Sequence, residues 1–427
     1  MSAHGPIQRL SVPAQVPRRV WNSTLWMALG RMWGAACTLL TLWILAERLG
    51  TAGIGRLTFY LAIFLVLDAA VDLGSGQAAL RSVAANPRDL AAVLVRARRL
   101  RLILGLAAMA GTSTLAFAAG EADAAWIALA SLYPITHALE LSNLGLRNRI
   151  RWGRLVLVRA GAASASLFAV LALHSQGESR PAVYLAGIAA GSTVGNFAQH
   201  FACRRFLPAT LGVASAPLGP FLRLAVPMGV AALCQQLYFW QDNLVLRAYH
   251  GDSELGPYNL AVRCMSYGIL LAVYASAAAL PWLTRQASHG GVLQALRRLI
   301  PPLFIPAGIA VALAWPWTES ILAVFGADFR VAGPSLRWLL LAILCVSVGA
   351  PCLTGVVAMG HSNAVLGIAV SALVVNLAFN LLWVPSHGAL GAARATCLTE
   401  LVVALLSLAT VLIRSRSKPA VPTSPQP

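Results

Sequence analysis

The chain has 427 residues, is 58% hydrophobic and only 11% charged, and its mean hydropathy is +0.72. A soluble protein of this length needs a charged shell, so the composition excludes a soluble globular fold and points to membrane-embedded helices. The formal net charge of +18 does not mark a nucleic-acid surface, because the arginines sit in loops between apolar runs rather than in one patch.

A hydrocarbon core about 30 Å thick takes roughly 20 residues of helix. On that ruler twelve spans are expected, at 22–46, 56–80, 100–119, 125–146, 155–174, 181–203, 221–248, 257–283, 300–325, 333–358, 362–384 and 388–413. Residues 1–21 and 414–427 read as polar tails, and 206–220 as a linker between six-helix lobes at 22–205 and 221–413. The first run is too long for a cleavable signal, contains Arg31 and is followed by no small-residue cleavage site, so it reads as the first span. The loops 81–99 and 284–299 are expected to form short amphipathic surface helices.

Basic residues alternate in density from loop to loop. One side of the membrane receives 23 of them, among them Arg81 to Arg101, Arg147 to Arg159, Arg204, Arg205, Arg297, Arg298 and Arg414 to Lys418. The other side receives six: Arg48, Arg56, Arg180, Arg247, Arg330 and Arg337. The denser side is the cytoplasmic one by the positive-inside rule, and both termini fall on it.

The chain carries one apolar hairpin twice. An apolar run ends at Glu47-Arg48-Leu49-Gly50 and another begins after Gly55; a second pair of runs flanks Gly251 and Gly256 at one constant offset. Six spans per half place the second copy in the same orientation as the first. The fold class is therefore all-α and polytopic, with about twelve transmembrane helices in two parallel-repeat lobes around a central cavity.

The sequence ERLGTAGIGRLTFY (47–60) and its counterpart DNLVLRAYHGDSELGPYNLAVR (242–263) resemble those of Wzx-type oligosaccharide flippases, of the multidrug/oligosaccharidyl-lipid/polysaccharide exporter superfamily. The segments beginning VFGADFRVAG (324–333) and VAMGHSNAVLG (357–367), and the stretch GALGAARATCLTE (388–400), extend the resemblance over nearly all spans. The resemblance implies a bacterial inner-membrane flippase for an undecaprenyl-diphosphate-linked oligosaccharide, serving O-antigen, capsule or exopolysaccharide assembly by alternating access. It also implies polysaccharide polymerase and chain-length proteins as partners. A drug antiporter of the multidrug and toxin extrusion type is the alternative. A membrane polymerase or ligase is disfavoured by the short outer loops, so no catalytic residue is assigned.

Ionisable groups inside spans are costly and are functional candidates by default. Arg31 lies roughly 14 Å along the first span by helix rise, Arg263 about two turns into the eighth, and Arg394 similarly placed in the twelfth. Guanidinium groups bind diphosphate oxygens in bidentate fashion, so all three are candidate substrate contacts. Asn143, Gln235, Gln236, Asn376 and Asn380 are candidate sugar contacts, with interhelical hydrogen bonding as the other use of such amides. Asp242, Glu140 and Glu400 are candidates for proton coupling or ion pairing, Asp242 with Arg263 in particular. Asp68 and Asp72, four apart, share a face and suit a gate or packing contact. Tyr238, Trp240 and Trp282 could stack on sugar rings, and Pro227 and Pro281 could act as bending points. The seven cysteines form no C-x-x-C pair and read as buried thiols; no P-loop, HExxH or zinc spacing occurs, so no cofactor, metal or nucleic acid is expected.

Overall fold

The computed structural model describes residues 15–85, 89–144, 152–207, 218–287 and 290–416. Among them all regular structure is helical: α1 (Gln15–Asp72), α2 (Ser75–Ala85), α3 (Leu90–Ala118), α4 (Ala124–Ala130), α5 (Tyr133–Glu140), α6 (Trp152–Ser175), α7 (Pro181–Cys203), α8 (Leu218–His250), α9 (Asp252–Gly268), α10 (Leu270–Ala287), α11 (Val292–Leu299), α12 (Pro301–Ala314), α13 (Thr318–Ala323), α14 (Gly333–Ala358) and α15 (Ser362–Arg416). Eight stretches are long and apolar enough to cross a membrane. Two of them, 52 and 53 residues long, each hold two crossings. With the broken α4–α5 pair and α7, the described residues supply the twelve expected spans.

Glycine sets the turns. α1 is broken at Gly50 (φ 63, ψ −170) and α15 at Gly388 (φ 54, ψ −135), while Gly251 (φ 77, ψ −172) separates α8 from α9. A side chain at such φ would clash with its own backbone. Gly50 and Gly251 hold nearly one conformation, so the repeat extends to the dihedral angles. The chain reverses at these points: Asp242 bonds Tyr258 across Gly251, and Asn376 bonds Thr399 across Gly388 at 3.3 Å.

Several spans are interrupted. The second breaks at Leu73 (φ 40) and Gly74 (φ 71), and the backbone of Leu73 packs where a Cβ on Gly229 would lie. The fourth splits between α4 and α5, with Pro134 in the first turn of α5. The eighth splits at Gly268–Leu270, and the ninth passes through a 3-10 turn at Trp315–Trp317. The loop at 284–299 contains the expected short amphipathic helix, α11, which buries Val292, Ala295 and Leu296 and carries Arg297 and Arg298. The loop at 81–99 differs: residues 90–99 are the first turns of α3, because Leu90–Leu104 pack an apolar face on α2 and leave no free surface helix.

The described residues pack as two compact units, one within Met1–Thr41, Ser75–Ser175 and Ala186–Ala225, the other within Leu42–Gly74, Gln176–Leu185 and Val226–Pro427. In the first, α7 lies close on α6 because Gly187, Gly191 and Gly195 recur every fourth residue; Cβ atoms there would meet Leu173, Ser166 and Ala162. This small-residue stripe suits helix association in lipid, where apolar burial alone gives no driving force. In the second, Arg48 donates to the carbonyls of Gly177 and Glu178 (3.1 Å to Glu178) and fixes the loop before α7. In that loop Arg180 hydrogen-bonds the Glu178 carboxylate and holds its pKa down at about 2.

The second unit also contains the crossing of the two repeat copies. A Cβ on Gly55 would overlap the carbonyl oxygen of Asp252, and a Cβ on Gly256 would overlap that of Thr51. These four residues are equivalent in pairs under the repeat, so the contact is its own mirror across a pseudo-two-fold axis. One turn on, Asn259 donates to Thr58 at 3.0 Å, again between equivalent positions. Arg56 and Arg247 bracket Asp252 at 3.1 and 2.7 Å, and Arg247 stacks 3.9 Å over Phe59. Gly256→Ala therefore lowers the unfolding midpoint of the purified protein in detergent, by an overpacking cost of about 1–3 kcal/mol. Gly308→Ala, with nothing within 4 Å of the added carbon, leaves the midpoint in place or raises it.

Candidate functional site

The second unit holds a cavity of about 270 Å³ between α8 and α9, lined also by Leu65 of α1. Gln236, Phe239 and Trp240 line it from α8; Asn259, Arg263 and Ser266 line it from α9 at the three- and four-residue spacing of one helix face. Arg263 lies with its guanidinium carbon 5.8 Å from the Trp240 ring centroid. Among the described residues it has no hydrogen bond and no carboxylate partner. Gln236 donates to the Leu65 carbonyl at 3.4 Å, a long bond that a better acceptor would replace. The wall thus offers an unneutralised cation on an aromatic face with amide and hydroxyl groups beside it.

Asp242 and Arg263 are not paired. Asp242 accepts from the Tyr258 hydroxyl and from the Asn243 backbone N–H at 2.9 Å, deep between α8 and α9. The shared hairpin brings both residues to neighbouring helices, but Tyr258 reaches the acid first. Glu400 is likewise held by a tyrosine, accepting from Tyr238 at 2.6 Å. Asn376 and Asn380 share a face of α15, and Asn380 donates to the Asn376 side chain at 2.9 Å. Gln241 donates to that same oxygen at 2.7 Å, and the Asn376 amide donates to Thr399. These amides tie α8 to both arms of α15 and lie away from the cavity wall. Gln235 is exposed and is not part of that lining. Arg394 sits 5.6 Å over the Trp338 ring, and its Nε has no hydrogen-bond partner.

The remaining candidates belong elsewhere. Glu140 is the hub of an ion cluster in the first unit: Arg101 reaches it at 3.4 Å, Arg159 at 2.8 Å, and His137 lies 3.8 Å away one turn earlier. Arg101 is itself buried and also bonds Ser75 and the His137 carbonyl, so the cluster joins α2, α3, α5 and α6. Asn143 is buried in the 3-10 turn Leu141–Asn143 that follows. Asp68 and Asp72 are half-buried on α1 just before the break at Leu73. The side chain of Arg31 lies outside the described residues; its backbone is helical. No group of three or more His, Cys, Asp or Glu side chains among the described residues could hold a metal ion.

Sequence reasoning missed Tyr258, Asn259 and Ser266. Asn259 was within reach, because it falls opposite Thr58 at the offset that pairs Gly50 with Gly251. Tyr258 carried no such signal, since a tyrosine near a glycine turn reads as an interface residue. Glu140→Gln is expected to cost about 3 kcal/mol of stability, the scale for removing one partner of a buried ion pair. The measurement is the unfolding midpoint in detergent, with Arg159→Gln, at the exposed edge of the cluster, as the milder comparison.

The profile of the family described as polysaccharide biosynthesis protein matches residues 20–286, and the MatE profile matches residues 227–382. No curated protein sequence matches the chain. Among solved structures, the lipid II flippase MurJ in an inward closed conformation is similar with a TM-score of 0.74 at 14% identity, over 92% of this chain and 88% of that one. An inward-facing multidrug resistance MATE family transporter of the MOP superfamily follows at 0.72 and 15%, over 92% and 98%. A MOP superfamily transporter from Pyrococcus furiosus gives 0.67 and 16%, over 92% and 95%. The fold is thus the MOP superfamily transporter fold, a multi-pass bundle of apolar helices, and with well over half of its length under one family profile the chain belongs to the polysaccharide biosynthesis protein family.

Proposed function

We propose that this protein is a flippase that carries an undecaprenyl-diphosphate-linked oligosaccharide across the bacterial inner membrane, both termini cytoplasmic. The observation that carries the reading is Arg263, a guanidinium without a carboxylate partner on the wall of a polar and aromatic cavity. An anionic head group would supply the missing charge, and bidentate contact suits a phosphate better than a sugar. Gln236, Asn259 and Ser266 beside it suit hydroxyl groups, and Trp240 offers an aromatic face. The membership in the polysaccharide biosynthesis protein family and the fold shared with a lipid II flippase support the same class of cargo.

The physical task fits such a wall. Moving a diphosphate and several sugars through hydrocarbon strips hydrogen bonds from many groups at several kcal/mol each. Lining groups replace that hydration while the polyprenyl tail remains in lipid. The lobes at 22–205 and 221–413, joined through 206–220, would alternate access to the cavity by rocking. A polymerase and a chain-length protein would take the product on the far side.

A second reading, drug antiport, draws on the MatE match and on Asp242 and Glu400, two acids held by tyrosines rather than by cations. One experiment separates the two. In a deletion strain the flippase reading expects a lipid-linked glycan to accumulate on the cytoplasmic leaflet, detected by extraction and mass spectrometry. Unchanged glycans together with altered drug susceptibility would give the antiport reading instead. In complementation at equal protein abundance, Arg263→Ala is expected to reduce glycan export roughly tenfold or more, the scale of one lost charged hydrogen bond of about 1.5–3 kcal/mol. Arg263→Lys should recover part of it, keeping the charge without the planar fork.

A further inference from the structure

The break in α15 at Gly388 leaves backbone groups without helical partners. The first arm ends with an orphan carbonyl at Val384, and the second begins with an orphan N–H at Ala389. Both are met by the turn between α8 and α9. His250 Nε2 donates to the Val384 carbonyl at 2.7 Å, and the Ala389 N–H donates to Glu254 Oε1 at 2.7 Å. The other ring nitrogen, Nδ1, lies 3.0 Å from Glu254 Oε2. Glu254 fills the space that a Cβ on Gly388 would take, so the glycine is needed for this contact as well as for the turn.

The contacts call for one proton more than a neutral imidazole brings. A backbone carbonyl only accepts, so Nε2 carries a proton. Nδ1 then faces a carboxylate, which also only accepts when ionised. A bond between them exists only when one further proton sits on Nδ1 or on the carboxyl. The pair therefore holds one proton more than a neutral imidazole with a free carboxylate. The arrangement favours the ring as its site: an imidazolium would lie at the carbonyl end of one helical arm, and a carboxylate at the N–H end of the next, each opposite in sign to the helix dipole it meets.

We infer that His250 and Glu254 form a proton-binding latch that ties the α8–α9 turn to the bend of α15. Proton uptake closes it and proton release to solvent opens it, since both side chains are partly exposed, at 27% and 36%. The neighbouring charges do not substitute for it. Arg247 and Asp252 on the same hairpin bind one another at 2.7 Å, Arg56 on α1 binds Asp252, and His387 on α15 pairs its Nδ1 with Ser386 at 2.7 Å. The latch is separate from the cavity at Arg263 and from the acids Asp242 and Glu400.

The full-length protein, purified in detergent with 15N-labelled histidine, tests this without a transport assay. The eight histidines are resolved by comparison with His250→Gln. The expected spectrum of the His250 ring changes its protonation with pH differently in the wild type and in Glu254→Gln, and a ring that behaves identically in the two overturns the proposal. A latch that needs the extra proton stabilises the fold only while that proton is bound, so the latch expects the unfolding midpoint to fall as pH rises through the range, about 5 to 8, where imidazoles titrate. His250→Gln should flatten that slope. Glu254→Gln should flatten it while keeping the latch shut, because the amide can donate to Nδ1 and still accept from Ala389. A wild-type slope retained in both variants would refute the latch.

Discussion

The crossing of the two repeat copies in the second unit depends on the closeness of two backbones. Gly55 and Gly256 let the carbonyls of Asp252 and Thr51 approach to where any side chain would stand, and this places Asn259 on Thr58 and Arg56 on Asp252. Helices in lipid gain little from burying apolar surface against one another, so close approach and hydrogen bonds between backbones and small polar groups must hold them. The contact is symmetric, and each glycine serves both copies of the repeat. A change on one side of the axis is felt by the backbone of the other.

Away from the axis the copies diverge, and the chemistry lies there. At the repeat's offset, Thr41 stands opposite Asp242, Ala62 opposite Arg263, and Ala232 opposite Arg31. The second copy thus carries the charged and aromatic wall of α8 and α9 while the first contributes Leu65 to the lining. Buried polar groups in this region are mostly satisfied by one another: Asp242 by Tyr258, Glu400 by Tyr238, Gln241 by Asn376. Against that background Arg263 and Arg394 each meet an aromatic ring that attracts without neutralising, and of the two Arg263 lines the cavity.

The architecture was legible in the sequence because its determinants are local. Apolar length gave the spans, and Gly50 and Gly251 marked the repeated turn through the one backbone region that other residues avoid, while the turn at Gly388 came only with the structure. The expected 81–99 surface helix failed where packing on α2 decided the outcome rather than charge density. The site was legible only in part. Composition marks which ionisable groups lie in spans, and it marked Arg263 and Asp242, but it does not say which neighbour each will meet. Two candidates on adjacent antiparallel helices look like an ion pair, but the hydroxyl of Tyr258 takes the acid instead. Asn376 and Asn380, candidate sugar contacts, share a face that turns to α8 and to the second arm of α15, a matter of helix rotation that periodicity alone does not fix.

The second span has a mechanical property of its own. Leu73 sits at positive φ without being a glycine, a conformation that costs on the order of 1 kcal/mol and persists only where its surroundings demand it. Gly229 provides the space for that backbone. A continuous helix resists bending because its ladder of hydrogen bonds must be broken first. At Leu73–Gly74 the ladder is already interrupted, so the α1–α2 junction is compliant while the segments on either side remain stiff. A load applied along this span would be taken up as rotation at one point rather than as curvature spread over its length.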